Sequence, residues 1–196
     1  MYKSLQSRRQ FLKSSSSAVG ITLAGINLPA LLSIGTAAAQ ARDQAEALHT
    51  LGAQEAADLE AIAAQIIPTD ETPGAREAGV IYFIDGAMAG MFAHALPELR
   101  DGLAALNRKV PGDDQGFANL GSDEQVALLR REESSGFFGL VRFLTLAGMF
   151  SLPEYGGNRD HIGWKMIGFD HRHAWSAPFG YYDAHYAEGG SDHEAS

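Results

Sequence analysis

The chain has 196 residues, a formal net charge of −9 and no cysteine. Its length favours a single domain. The lack of cysteine excludes disulfide bonds, c-type haem attachment through C-x-x-C-H, cysteine-ligated iron–sulfur clusters and thiol catalysis. The negative charge disfavours nucleic acid and anionic lipid as partners, and it suits solubility or docking onto a basic protein surface.

The first 41 residues have the pattern of a cleaved twin-arginine export signal. A pair of arginines precedes Phe-Leu-Lys within Ser7–Lys13, and a moderately apolar stretch follows over residues 18–34. The small residues of Thr36–Ala41 have the A-x-A spacing that signal peptidase prefers, so we expect cleavage after Ala39 or Ala41. The alternative, an uncleaved membrane anchor, is disfavoured because the apolar stretch is shorter than the roughly 20 residues that a span needs. The residues that define the signal are Arg8, Arg9, Phe11 and Leu12.

Removal of this signal makes the chain more acidic. The part after residue 41 keeps all 24 acidic residues and 11 of the 15 basic ones, which gives a formal charge of −13. The twin-arginine route carries proteins that have already folded, usually around a cofactor or with a partner. We therefore expect a periplasmic protein, whose mature part of about 155 residues can bury a core without disulfides.

The first half of the mature sequence predicts helices. Residues 42–52 are expected to form a solvated lead-in, and the 3,4 spacing of apolar residues predicts helices over Ala53–Ile67, Ala75–His94 and Pro97–Lys109. Pro68 ends the first helix, because the residue before a proline resists the helical region. The second helix is expected to turn one broad apolar face to the core, made of Val80, Phe83, Ile84, Ala87, Met88, Met91 and Phe92.

The second half continues the helical pattern. Ser122 and Gln125 fit a capping box that starts a fourth helix, ending near Glu133. Gly136–Phe150 is the most apolar stretch and predicts a buried helix, and a short helix fits His161–Ile167. The predicted fold is all-α, a bundle of about five helices with a loop-rich C-terminal segment. A single domain is expected over residues 53–187, with a disordered tail over residues 188–196.

The sequence lacks the common signatures of a bound cofactor or an activated nucleophile. The patterns G-x-G-x-x-G, G-x-x-x-x-G-K-[ST], H-E-x-x-H and G-x-S-x-G are all absent. We therefore assign no catalytic, cofactor-binding or metal-binding residue to this chain.

The histidines of the C-terminal part support one alternative, a free-standing exported metal-binding protein. His161, His171 and His173 would supply imidazoles, with a carboxylate from Asp160, Asp170 or Asp183. This alternative is disfavoured because H-x-H sites usually lie on strands and the sequence does not define a third ligand.

The sequence leaves two alternatives for the pair Asp70 and Glu71, and two for Asp85. Asp70 and Glu71 form either a carboxylate pair for acid–base chemistry or part of a turn in which Asp70 caps backbone, and turn chemistry is favoured. Asp85 is either a solvated residue of the second helix or a partner for Arg142.

Pro153–Trp164, with the sequence PEYGGNRDHIGW, is the most distinctive stretch. Gly156-Gly157-Asn158 gives the backbone freedom for positive φ. Tyr155 and Trp164 are amphipathic rings of the kind that anchor interfaces. The pattern predicts a rigid loop with Tyr155 and Trp164 as aromatic anchors. The alternative for Trp164 is a place in the hydrophobic core.

Two segments of the chain resemble a known family. They are IIPTDETPGAREAGVIYFID, Ile66–Asp85, and GMFSLPEYGGNRDHIGWKMIGF, Gly148–Phe169. Together with the twin-arginine leader they resemble subunit 3 of gluconate 2-dehydrogenase, with a similarity that covers roughly residues 51–169. The resemblance implies a non-catalytic, cofactor-free small (gamma) subunit of a periplasmic or membrane-associated sugar or polyol dehydrogenase.

The resemblance also implies partners. The large subunit of such complexes is a flavoprotein of the glucose–methanol–choline oxidoreductase family that holds FAD, and some complexes add a multihaem cytochrome c with haem c. The small subunit then supports folding of the large subunit and carries it through the twin-arginine translocase. On this interpretation the residues of interest are partner-interface residues, namely Asp70, Arg76, Pro153, Tyr155, Gly156, Gly157, Asn158 and Trp164.

Overall fold

The structure is a computed structural model that describes residues 28–44, 47–112 and 116–171. The arginine pair of the leader, His173, Asp183 and the tail expected over residues 188–196 lie outside the described residues. Within the described part there are seven α-helices and no strand, which confirms the all-α fold class.

The seven helices lie between Leu28 and Met166. In chain order they are α1 (Leu28–Gln44), α2 (Ala53–Ile66), α3 (Val80–Ala89), α4 (Leu96–Asn107), α5 (Ser122–Glu132), α6 (Gly136–Phe150) and α7 (Ile162–Met166). Four single turns of 3-10 helix lie between them, at Ala93–Ala95, Phe117–Asn119, Pro153–Tyr155 and Arg159–His161.

Helix α6 is the centre of the bundle. It contacts α2, α3, α4, α5 and α7, and its run of aromatic and aliphatic residues makes this burial favourable. The largest fully buried apolar side chains come from these elements and from one 3-10 turn: Leu59, Ile62, Ile84, Met88, Leu99, Leu106, Phe117, Leu144 and Met149.

In the described ranges no single helix is long and apolar enough to cross a membrane, although α3 and the helical segment 93–107, bent by 94°, pass that test together.

The predicted second helix, Ala75–His94, is too long at both ends. Regular helix covers only Val80–Ala89. Gly79 has a left-handed backbone with φ of 69°, which sets the start, and Gly90 leaves the helical region at the other end. Because the helix stops there, Met91 does not lie on the core face as predicted and is 50% exposed.

The predicted capping box of the fourth helix is one residue out of register. Gly121 is the N-cap, and its N–H donates to the Glu124 carboxylate. Ser122 and Gln125 instead accept hydrogen bonds from the Gln65 side chain on α2. Their polar atoms therefore join α5 to α2 and do not cap the helix.

Residues 42–52 are not a solvated lead-in throughout, because Arg42 and Leu51 are 6% and 5% exposed. Asp85 on α3 organises the second part of this segment. Its carboxylate accepts from the backbone N–H groups of His49, Thr50 and Leu51 at 2.8–3.0 Å. Both alternatives for Asp85 were wrong, since it is buried and bonds to backbone, while Arg142 is exposed.

Candidate functional site

The loop over residues 153–164 wraps around the C-terminal end of α6, where the last carbonyl groups of a helix have no partner within the helix. Gly157 and Gly163 run directly against α6. A β-carbon on Gly157 would overlap the carbonyl oxygen of Gly148, and one on Gly163 would overlap that of Met149. These glycines are therefore required for the close approach of two backbones, a role that the sequence pattern alone did not reveal.

Asn158 joins the loop to both neighbouring helices. It is fully buried, with 0% exposure. Its Nδ2 donates to the carbonyl oxygen of Ser151 at 2.8 Å, and its Oδ1 accepts from the N–H of Gly163 at 2.9 Å. One side chain thus caps the end of α6 and fixes the start of α7.

Trp164 completes the cap. Its indole Nε1 donates to the carbonyl oxygen of Phe150 at 2.8 Å, and the residue is 6% exposed. The rings of His171 and His161 lie 4.8 and 4.9 Å from its ring, the first of them stacked. Buried tryptophan usually finds a partner for its N–H, and here the partner is a helix terminus.

The loop holds an unusual concentration of left-handed backbone. Gly156, Asn158, Asp160 and His161 have φ values of 97°, 44°, 54° and 60°. For residues other than glycine this region costs roughly 1–2 kcal/mol each, least for Asn and Asp. The loop keeps this conformation because the contacts of Asn158 and Trp164 determine its path.

Arg42, at the end of α1, reaches into the same loop. Its Nη1 donates to the carbonyl oxygens of Gly157 at 2.6 Å and Pro153 at 3.1 Å, and its Nε donates to the Asp43 carboxylate at 2.8 Å. The hydrogen bond from Arg42 and its charge hold the pKa of the Asp43 carboxyl below its usual value. The buried guanidinium is therefore a link between the N-terminal helix and the loop.

Residues 66–79, in the first of the two motif segments, form a turn that acidic side chains stabilise by accepting hydrogen bonds from within the segment. Asp70 accepts from the N–H and hydroxyl of Thr72, and these two bonds lower the pKa of its carboxyl. Glu77 accepts from the Thr69 hydroxyl and from the N–H of Gly74, and the Thr69 bond is the largest cause of its lowered pKa. These carboxylates shape a turn, as favoured for Asp70 from its sequence context.

The two segments form one structural unit. The N–H of Arg159 donates to the carbonyl oxygen of Ala78 at 3.0 Å. Gly156 lies so close to the backbone between Tyr82 and Phe83 that a β-carbon there would be 3.1 Å from it. The start of α3, the end of α6 and the loop after α6 therefore depend on each other for their positions.

A known protein family matches the part of the chain that contains this structural unit. The family described as gluconate 2-dehydrogenase subunit 3 matches residues 53–170. The chain belongs to the gluconate 2-dehydrogenase subunit 3 family. No curated protein and no solved structure gives a significant match. Membership indicates a role like that of subunit 3 in a complex with a dehydrogenase subunit.

The match begins at the first residue of α2 and continues beyond α7. It therefore includes both motif segments and the contacts between them. Helix α1, which carries Arg42, lies outside it. In this subunit 3-family chain α1 nevertheless packs against α3 and the loop after α6.

The predicted interface residues of the subunit 3-family chain fall into two groups. Gly156, Gly157, Asn158 and Trp164 are buried, and the side chains of Asn158 and Trp164 hydrogen-bond to backbone groups of this chain. Pro153 and Tyr155 are half-buried, while Asp70 and Arg76 are exposed, with Arg76 paired to Glu60 at 2.6 Å. The structure brings six of the eight residues together in one loop and places Asp70 and Arg76 on the neighbouring segment. Their role toward a partner stays a prediction.

The candidate metal ligands do not form a site in the described ranges, where no group of three His, Asp, Glu or Cys side chains is placed to hold an ion. His161 and His171 instead flank the ring of Trp164. His173 and Asp183, which the metal hypothesis also needs, lie outside the described residues.

Sequence reasoning missed the buried polar residues that connect distant elements. Asp58 is 0% exposed, and its carboxylate accepts from Gln54, Asn107 and the N–H of Ala118, which ties α2 to α4 and to the 3-10 turn at Phe117. The available signal was an acidic residue directly beside Leu59 on the apolar side of a predicted helix.

Proposed function

We propose that this chain is the non-catalytic small subunit of a periplasmic or membrane-associated, FAD-dependent sugar or polyol dehydrogenase such as gluconate 2-dehydrogenase. It supports the folding of the flavoprotein large subunit and its export by the twin-arginine pathway. The family match over residues 53–170 is the observation that carries this proposal. The FAD belongs to the large subunit, and in complexes that have a cytochrome the haem c belongs to that third subunit.

The use of buried polar groups supports a scaffolding role. The buried polar residues of the described part are Arg42, Asp58, Asp85, Gln125, Thr145 and Asn158. Each of them hydrogen-bonds to groups of this chain. Polar side chains that serve catalysis are usually aimed into a cleft with perturbed protonation. Here Asp85 and Asn158 bind backbone groups at the ends of helices, and Arg42, Asp58 and Gln125 bind loops and turns. These structural uses favour action through the protein surface.

An exposed apolar patch is the surface we assign to the large subunit. It consists of Met91, Phe92 and Phe143, and both Met91 and Phe143 are 50% exposed. The rings of Phe92 and Phe143 meet edge to face with centroids 5.6 Å apart. Aromatic residues and methionine are enriched at the centres of protein interfaces, where truncation of one anchor often costs about 2 kcal/mol of binding.

The buried loop would act on this complex indirectly. Pro153, Tyr155, Asp70 and Arg76 keep accessible area and are candidates for direct contact. Gly156, Gly157, Asn158 and Trp164 would contribute by setting the shape that the loop presents. The acidic net charge of the chain favours a partner with a complementary basic rim.

Mutation of the patch tests where the large subunit binds. The variant Phe143→Ser is expected to reduce co-purification of the flavoprotein at least tenfold without loss of folding, because it removes an exposed ring. The neighbouring exposed residue on the same helix gives a matched control, Arg142→Ser, which is expected to retain the partner. Equal retention by both variants would remove the patch from the proposal.

The export role has a separate test. The double variant Arg8→Lys, Arg9→Lys is expected to leave the activity of the flavoprotein in the cytoplasm, because the large subunit depends on this chain's leader. The readout is dye-linked dehydrogenase activity in periplasmic and cytoplasmic fractions. Normal export of the large subunit with the double variant would refute the escort role while leaving the subunit role intact.

A further inference from the structure

Helix α1 occupies a groove between α3 and the loop after α6. Its residues approach glycines on both sides of the groove. A β-carbon on Gly86 would lie 2.9 Å from the β-carbon of Ala38, and one on Gly156 would lie 2.8 Å from it. On the helix itself, a β-carbon on Gly35 would lie 2.8 Å from the ring of Tyr155. Small residues thus face each other across the contact, and this allows helix and loop backbones to approach closely.

Polar contacts close the end of this groove. Beyond its bonds to the loop carbonyls, the aliphatic part of Arg42 lies against Gly79, where a β-carbon would be 2.8 Å from its Cδ. The carbonyl oxygen of Arg42 accepts from Nη2 of Arg159 at 2.9 Å. Removal of α1 would therefore leave Arg159 and the carbonyl oxygens of Pro153 and Gly157 without these partners.

The same residues contain the expected processing site. Cleavage after Ala39 or Ala41 would cut within α1, between Ala38 in the groove and Arg42 at its end. Ala41 is 4% exposed and Ala39 is half-buried. A protease needs the bond in an opened, extended form, so cleavage of a packed helix is limited by the population of the opened state.

We infer that the A-x-A run of Thr36–Ala41 is protected from signal peptidase by the packing of α1, and that residues 34–44 remain part of the folded protein. Within this run Ala38 makes the close contact with Gly86 and Gly156. The groove between α3 and the Pro153–Gly157 loop has this chain's own segment as its occupant. The protection of α1 is a property of the folded chain and does not depend on export. Only the retention of residues 34–44 in the periplasm rests on the proposed export.

The experiment that tests it uses purified full-length chain and purified signal peptidase in detergent micelles, with cleavage followed by intact mass. Native wild-type chain is expected to resist, while a synthetic peptide of residues 28–47 is cut. The variant Ala38→Leu is expected to be cut at least tenfold faster than wild type, because the larger side chain does not fit against Gly86 and Gly156.

The matched control is Gln40→Leu, which adds the same side chain at an exposed position of the same run and is expected to resist like wild type. Neither substitution changes Ala37, Ala39 or Ala41, the small residues that the peptidase reads. Arg42→Ala is a second opening variant in case Ala38→Leu does not fold, with folding checked by circular dichroism.

Three results would overturn the inference. These are rapid cleavage of native wild-type chain at Ala39 or Ala41, resistance of the peptide, and equal resistance of wild type and both opening variants. In cells, the periplasmic chain is expected to have an intact mass that includes residues 34–41, and a mature chain starting at Gln40 or Arg42 would contradict it. A chain found only in the cytoplasm would refute export, while the result with purified protein would still decide the protection of α1.

Discussion

Asn158 shows at the scale of one residue how the loop after α6 is built. Asparagine tolerates left-handed backbone better than most residues, because its short polar side chain bonds locally. Here the side chain also satisfies the carbonyl group of Ser151 and the N–H of Gly163. Sequence reasoning recognised the conformational freedom of Gly156-Gly157-Asn158 but not the two bonds, because they depend on elements that come together only in the fold.

Replacement of Asn158 by alanine is expected to lower the free energy of unfolding by roughly 2–4 kcal/mol. The change leaves two backbone groups without partners, at about 1–3 kcal/mol for each buried group, and it puts a less tolerant residue in the left-handed region. Urea unfolding followed by circular dichroism measures this difference.

Asp160→Ala is the matched control for Asn158→Ala. Asp160 also has a positive φ, of 54°, but it is exposed. This control is expected to cost no more than about 1 kcal/mol, since it tests backbone strain alone. If the two variants lost the same stability, strain and not the two hydrogen bonds would account for Asn158.

At the scale of elements, the close contact between the loop and α6 makes a sharp prediction for glycines. Gly163→Ala is expected to destabilise the protein by more than about 2 kcal/mol, because its β-carbon would overlap the carbonyl oxygen of Met149. Gly139→Ala, within α6 itself, meets no atom within 4 Å. It is expected to stabilise the protein by about 0.5–1 kcal/mol through helix propensity.

Thermal and urea unfolding measure the stability of both variants. Gly163→Ala tests the contact between the loop and α6, and Gly139→Ala tests helix propensity within α6. Equal effects of Gly163→Ala and Gly139→Ala would show that the loop does not press against α6 in solution.

The junction between α2 and α4 makes a prediction about pH. Partial burial raises the pKa of Glu55, but hydrogen bonds from Arg100 and from the N–H of Gly52 outweigh this effect, and the net pKa lies below its usual value of 4.5. A lowered folded-state pKa means that the stabilisation is present above pH 4.5 and is lost as the pH falls through the folded-state pKa.

Glu55→Gln is therefore expected to be less stable than wild type at neutral pH and to show a weaker loss of stability below pH 4.5. Since Arg100 is exposed and Glu55 is only partly buried, the difference at neutral pH is expected to be only about 0.5–1 kcal/mol. The measurement is the free energy of urea unfolding between neutral and acid pH, with Arg100→Gln as a second variant. Parallel pH curves for wild type and Glu55→Gln would contradict it.

The helices themselves show what sequence can predict. Periodicity and proline placed α2 within one residue, and the apolar run placed α6 as observed, because local spacing and burial agree there. The start of α3 was missed because the turn before it depends on the backbone of Gly79 and on bonds to Glu77. The burial of Arg42 was missed because its acceptors lie 111 and 115 positions away.

At the scale of the whole molecule, the family match covers residues 53–170, which include both motif segments, and α1 lies outside that range. The two motif segments connect the start of α3 to the end of α6. Resemblance supplied the partner class, because no local pattern encodes which protein a helical surface binds. The patch at Met91 and Phe143 was found only in the structure, since sequence periodicity had assigned Met91 to the core.

Co-purification from the native host tests the subunit assignment most directly. A tagged chain, isolated under gentle conditions from periplasm or membranes, is expected to bring down a flavoprotein of the glucose–methanol–choline family, identified by mass spectrometry. The isolated complex should show flavin absorbance and dye-linked oxidation of a sugar or polyol, and the chain alone should show neither. Recovery of the folded chain without a flavoprotein, while active dehydrogenase remains in the unbound fraction, would contradict the account.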